Sequence, residues 1–168
     1  MLIRLFLFFL ILAPRAAGHC LKDTTENRPS QGIEKFDPGR DAAKDIQNAI
    51  VAAEKSGKRI LLDVGGEWCV WCRKLDSLFH ADQKISGVLH RNYIVVKVNF
   101  SKENENEKVL SAYPKIEGYP HLFVLDSNGK LLHSQDTGLL ESGKHHDPGK
   151  VMAFLKRWAP GKKTVNTD

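Results

Sequence analysis

Ile60-Leu61-Leu62-Asp63-Val64-Gly65-Gly66-Glu67-Trp68-Cys69-Val70-Trp71-Cys72 decides how this chain folds. From Arg59 to Val64 four apolar residues surround Asp63, and Gly65-Gly66 bounds the run, which reads as a short buried strand. Beyond the cysteines, Leu75, Leu78 and Phe79 share one face of a helix over 70–80. A buried strand thus turns sharply into a helix, with Cys69 and Cys72 at the joint.

Working outward, Asp37-Pro38 reads as a helix cap followed by proline at the first helical position. Ala42, Ile46, Ala49, Ile50 and Ala53 recur at helical spacing, and Gly57 supplies a stop. On the far side, Asp82 caps a further helical piece with Ile85, Val88 and Leu89 inward. The β-branched run Tyr93 to Phe100 predicts a second buried strand. Polar residues 101–108 lead into a short helix through Val109, Leu110 and Ala112, ended by Pro114. His121 to Asp126 and Lys130 to Ser134 form a hairpin across Ser127-Asn128-Gly129. Residues 136–147 read as a loop. Asp147-Pro148 then opens a last helix with Val151, Phe154, Leu155 and Trp158 inward. The expected order is α, β, α, β, α, β, β, α. Strands joined through a helix should be parallel and the hairpin antiparallel, giving an α/β fold with a mixed central sheet and helices on both faces.

The ends of the chain read differently. Arg4 precedes the apolar run Leu5 to Ala13, which is too short for a membrane span of about 20 residues but suits a secretory leader. Ala16-Ala17-Gly18 offers a cleavage site, so residues 1–18 are expected to be a signal peptide and the mature chain to be periplasmic or secreted. Membrane attachment is expected only if Cys20 is lipidated, and His19 before it is a poor match to that motif. Residues 19–38 read as a polar arm, 39–160 as the domain and 161–168 as a frayed tail. In the 168-residue chain, 42% hydrophobic and 27% charged residues exclude wholesale disorder. A net charge of +5, including Arg4 and Arg15, is too small to argue for a nucleic-acid partner, and none is expected.

A Cys-x-x-Cys pair has several meanings. Zinc usually takes two such pairs; here only Cys20 remains, with His80, His90, His121, His145 and His146 scattered, and no metal site is expected. Covalent haem needs a histidine where Arg73 stands. A structural disulfide stays open, although so short a loop stabilises little. A redox role fits better. At the start of a helix, unpaired N–H groups and the dipole favour a thiolate at Cys69, exposed and attacking first. Cys72, one turn on and more buried, would then resolve the mixed disulfide.

The strand and Trp-Cys-x-x-Cys turn resemble the active site of thioredoxin-like proteins, and the resemblance runs over about Arg40 to Trp158. It implies a thioredoxin-like fold and thiol–disulfide oxidoreductase activity, with Cys69–Cys72 as a redox-active disulfide and no other cofactor. Asp63 falls at the buried-acid position behind the cysteines, and Lys97 on the strand lysine beside it. Burial should raise the Asp63 pKa, so that it accepts a proton from Cys72; the alternative is a plain buried ion pair with Lys97. Gly118-Tyr119-Pro120 matches the segment whose cis proline turns the backbone beside Tyr119 toward the cysteines, to pair with an extended substrate. Trp68 and Trp71 would contact substrate as well. Glu67 reads as a solvated turn residue, and His121 as a partly exposed strand histidine.

Val70-Trp71 departs from the Gly-Pro of thioredoxin and the Pro-His of the oxidising periplasmic relatives. It is closer to secreted or periplasmic members related to electron-relay domains. Expected partners are therefore protein thiols and disulfides, together with a membrane electron-relay protein, and the preferred direction is reductive or isomerising. A non-catalytic binding or chaperone module, or a metal carrier using the same cysteines with His19 or His145-His146, are the competing readings.

Overall fold

The computed structural model describes residues 35–161. The expected leader, Cys20, most of the expected polar arm and the last seven residues lie outside them. Helix α1 (Ala42–Ser56) packs Ala42, Ile46, Ala49 and Ala53 inward and ends at Gly57, whose φ of 69° is the left-handed cap that glycine adopts without strain. Strand β1 (Arg59–Gly65) follows, then α2 (Val70–Ala81) and α3 (Gln83–Asn92), which share Asp82 as stop and cap. Strand β2 (Tyr93–Asn99), a single turn α4 (Glu107–Leu110) and the hairpin β3 (His121–Leu125) and β4 (Leu131–Asp136) come next. The chain ends in α5 (Pro148–Arg157), capped by Asp147 as its sequence predicts.

The sheet order is β2-β1-β3-β4, with β1 and β2 parallel and the other pairs antiparallel. Alternation along β1 builds two cores. Ile60, Leu62 and Val64 face α1 together with Val96, Val98, Phe123 and Leu125. Leu61 faces the other way, onto Leu75 and Phe79 of α2, Ile85 and Leu89 of α3, and Phe154 and Leu155 of α5. Asp63 shares the parity of Leu61, and the parallel register sets it beside Lys97. A carboxylate and an ammonium are thereby built into the wall beneath α2.

Two expectations are corrected. The cap of α1 is Asp41, whose side chain accepts the Lys44 N–H, not Asp37. Asp37 instead accepts the N–H of Gly39 and organises a turn ahead of the helix. Residues 136–147 are not a plain loop: a 3-10 turn (Thr137–Leu140) leads into a two-stranded ribbon, β5 (Glu141–Ser142) and β6 (His145–His146), which packs on α2.

The ribbon buries His146 against the Trp71 ring, edge to face at 5.4 Å, with neither ring nitrogen hydrogen-bonded. Burial, aided by the charges of Lys74 and His145, pushes its pKa down from 6.5 to about 4. The unfolded chain takes up this proton near 6.5 and the folded one only near 4, so stability present above pH 6.5 is lost as pH falls through that window. Urea unfolding of the protein and of His146→Phe between pH 7 and pH 4 should diverge in acid by up to about 3 kcal/mol, the variant being the less acid-sensitive.

Candidate active site

The turn after β1 delivers both cysteines to the first turn of α2. The Cys69 N–H donates to the Gly66 carbonyl, and Cys69 is the cap of the helix, its Sγ accepting the Cys72 N–H at 3.1 Å. The two are joined as a disulfide. Cys72 is the more buried, as expected, but Cys69 is only 5% exposed rather than open. Phe36 packs against both cysteines, and Trp71 and Tyr119 border the same cluster. Gly65 makes room for the inner sulfur. A Cβ there would stand 2.5 Å from the Cys72 Sγ and 3.3 Å from the Phe36 ring, so no larger residue fits without displacing one of them.

Below the disulfide, Lys97 Nζ lies 3.0 Å from Asp63 Oδ2 and 2.7 Å from Asp76 Oδ1, with both Asp63 and Lys97 buried. Burial raises the Asp63 pKa and outweighs the lowering by Lys97; the nearby Asp76 charge adds to the rise. Burial alone would lower the Lys97 pKa, but the Asp63 and Asp76 carboxylates reverse this and hold it above 10.5. Lys97 therefore stays charged, while Asp63 is the carboxyl that can gain a proton. Its Oδ1 is buried without a hydrogen-bond partner in the described structure, an open acceptor.

Above the disulfide, the Tyr119 carbonyl oxygen lies 3.6 Å from the Cys69 sulfur, and the Tyr119–Pro120 peptide bond is cis. The Thr137 hydroxyl donates to the Pro120 carbonyl and anchors this segment to the 3-10 turn. Tyr119 stacks on Phe100 at 4.7 Å and meets Trp68 edge-on at 5.8 Å. Trp68 Nε1 donates to the Phe100 carbonyl at 2.7 Å, which holds an indole that is 56% exposed. Trp71, on the other side, is covered by His146 and by the Lys74 ammonium 4.2 Å from its ring. The two tryptophans therefore differ: Trp68 is presented and Trp71 is clasped.

The structure thus sets Trp71 and Tyr119 against the Cys69–Cys72 disulfide, with Trp68 packed on Tyr119 and Pro120 joined to it by the cis bond, while Phe36 links the cysteines to the Lys97–Asp63 pair. His121 is a correction, being 5% exposed rather than partly open, with Nε2 2.8 Å from the Ser134 hydroxyl. Burial pushes its pKa down, so it is neutral near pH 7. Asp76, Phe36 and Thr137 were not anticipated. Asp76 had a signal, lying four residues after Cys72 and so on the same helix face. Among the described residues, no three His, Cys, Asp or Glu side chains converge to hold a metal ion, and no helix is long and apolar enough to cross a membrane.

Comparison with known proteins agrees with this architecture. A family profile described as thioredoxin-like matches residues 41–127. The thiol:disulfide interchange protein DsbD of Actinobacillus pleuropneumoniae is 27% identical over 101 residues, 60% of this chain but 17% of that protein. Its counterpart from Haemophilus influenzae is 23% identical over 70% of this chain and 21% of its own length. The chain therefore spans about a fifth of the curated relatives it matches. Among solved structures, a disulphide isomerase from Xylella fastidiosa Temecula1 superposes with a TM-score of 0.65 at 26% identity, covering 75% of this chain and 98% of that one. The oxidised DsbD C-terminal domain of Neisseria meningitidis gives 0.54 at 18% identity, with 74% and 99% coverage, a likeness of fold. With the profile spanning β1, the cysteine pair, α2, β2 and the cis proline, the chain belongs to the thioredoxin-like family.

Proposed function

We propose that the protein is a thiol–disulfide oxidoreductase that exchanges disulfides with protein substrates, in the reductive or isomerising direction. In its dithiol form, the Cys69 thiolate attacks a substrate disulfide; one S–S bond forms, one breaks and a substrate thiolate leaves. Cys72 then loses its proton toward Asp63, directly or through water, and attacks the Cys69 sulfur. The second substrate thiolate leaves and the Cys69–Cys72 disulfide closes, two electrons having passed to the substrate. Return to the dithiol needs a two-electron thiol donor, for which a membrane electron-relay protein is the proposed partner. The likeness to the thiol:disulfide interchange proteins and the bulky Val70-Trp71 pair support that choice. The Leu5–Ala13 run and the cysteine chemistry support a place outside the cytosol, where disulfides persist.

The observation that carries the reading is the disulfide at the first turn of α2, with the Tyr119 carbonyl beside its outer sulfur. A substrate strand laid along Tyr119 would bring its own disulfide to Cys69, held by backbone hydrogen bonds. The test is insulin reduction by dithiothreitol with and without the protein, followed by reactivation of a protein with scrambled disulfides. Acceleration of insulin precipitation supports the reading. Insulin reduction at the uncatalysed rate refutes it, and leaves the binding module as the reading to pursue.

A further inference from the structure

Phe36 lies ahead of α1 and outside the residues matched by the family profile, yet its ring is 5% exposed. It touches both halves of the site. It clusters with Cys69 and Cys72, and the Lys97 ammonium sits 4.3 Å from its ring centre. Its backbone N–H donates to Glu67 Oε1 at 3.0 Å, a link from the incoming chain to the turn that carries the cysteines. Glu67 is thus an exposed residue with a specific partner rather than a merely solvated one. The Asp37 turn follows at once, Gly39 N–H to Asp37 Oδ1 at 2.8 Å, and fixes where Phe36 leaves the chain.

We propose that Phe36, tethered by Glu67, is a positioning residue that closes the Cys72–Lys97–Asp63 cluster to water and thereby governs how Cys72 resolves the mixed disulfide. The proposal rests on the oxidoreductase reading for its consequence, but not for its geometry. A flat apolar ring over an ammonium excludes bulk water while keeping a favourable electrostatic contact. Inside the enclosure the carboxyl of Asp63 is held with its proton affinity raised by burial, matched to taking a proton from a thiol. The charged groups that face Asp63 are Lys97 from β2 and Asp76 from α2. Admitting water would weaken the Lys97 attraction and relieve the desolvation; the desolvation is the larger, so Asp63 would ionise more readily.

The test uses the full chain in a Cys69→Ser background, with iodoacetamide as the probe and the Cys72 peptide read by mass spectrometry so that Cys20 does not interfere. Phe36→Ala should raise the rate of Cys72 alkylation about tenfold, as expected when a buried thiol becomes wet and accessible. Glu67→Ala, which cuts the tether without emptying the core, should shift it the same way by a smaller factor. Phe36→Leu, which keeps an apolar cover, should return it to the parent value. With both cysteines present, the acid limb of the insulin-reduction profile should move to lower pH in Phe36→Ala and not in Phe36→Leu. Alkylation within about twofold of parent in Phe36→Ala and Glu67→Ala, well short of the tenfold expected of a newly wet thiol, would overturn the proposal. So would Phe36→Leu matching Phe36→Ala. Should Phe36→Ala fail to fold, Glu67→Ala decides alone. Absence of insulin reduction by the parent protein would sink the oxidoreductase reading, whereas the alkylation arm would still judge the cover.

Discussion

Cys72→Ser should accumulate mixed disulfides with protein substrates, visible as reductant-sensitive bands on a non-reducing gel, while Cys69→Ser should trap none and reduce insulin no faster than the uncatalysed reaction. The asymmetry comes from the first turn of α2. Cys69 is the capping residue, facing the Tyr119 carbonyl across 3.6 Å, where helix N–H groups favour a thiolate and a substrate strand paired along Tyr119 would meet it, although its residue is only 5% exposed in the disulfide form. Cys72 lies beneath, 1% exposed against Gly65 and Phe36, reachable by the Cys69 sulfur but not by a bulky disulfide. A serine at 72 therefore leaves the first attack intact and removes the second. A serine at 69 offers no thiolate at neutral pH. Both variants should fold, since so short a loop contributes about 2 kcal/mol or less. Trapping by Cys69→Ser instead of Cys72→Ser would reverse the assignment of the nucleophile.

Lys97→Met should cost about 3 kcal/mol of stability at neutral pH, because it strips the Lys97 ammonium from between Asp63 and Asp76 and leaves a carboxyl buried without that counter-charge. The loss should depend on pH in a definite sense. The native Asp63 pKa is already raised, by burial, and removing Lys97 removes the main effect that lowers it, so it rises further. The unfolded chain ionises near 3.8 while the folded one keeps its proton, so stability falls as pH climbs through that interval, and the variant's deficit should shrink in acid. The acid limb of turnover should move to higher pH, since the base form of Asp63 appears later. Urea unfolding at pH 4 and pH 7 and a pH–rate profile check both. The double change Asp63→Asn with Lys97→Met should recover most of the stability without recovering turnover, since removing both partners of a buried pair is far cheaper than removing one.

Much of this site was legible because periodicity is local. An acid within an apolar strand, a cysteine pair at a strand-to-helix joint and a proline opening a strand are each visible within a few residues. Parity along β1 and β2 then places Asp63 and Lys97 on one face. What escaped depends on chain reversals that short segments do not announce. Asp37-Pro38 carries the stronger capping signature, yet Asp41 caps α1, because residues 37–40 form a turn that follows Phe36, which packs against the cysteines. Ribbon strands of two residues have no period to read, so the clasp of His146 on Trp71 was invisible. His121 looked half-open because a strand histidine often is; here Ser134 across the hairpin gives its ring a partner and permits burial.

The most direct test of the central claim is the reduction potential of the Cys69–Cys72 couple, measured by equilibration in glutathione and dithiothreitol buffers with thiol trapping. A reductive or isomerising exchanger should poise between about −180 and −270 mV, the range from disulfide isomerases to thioredoxin. A disulfide that stays closed in buffers poised below about −300 mV would be a structural link, and a value near −120 mV would mark an oxidant; either would contradict the account.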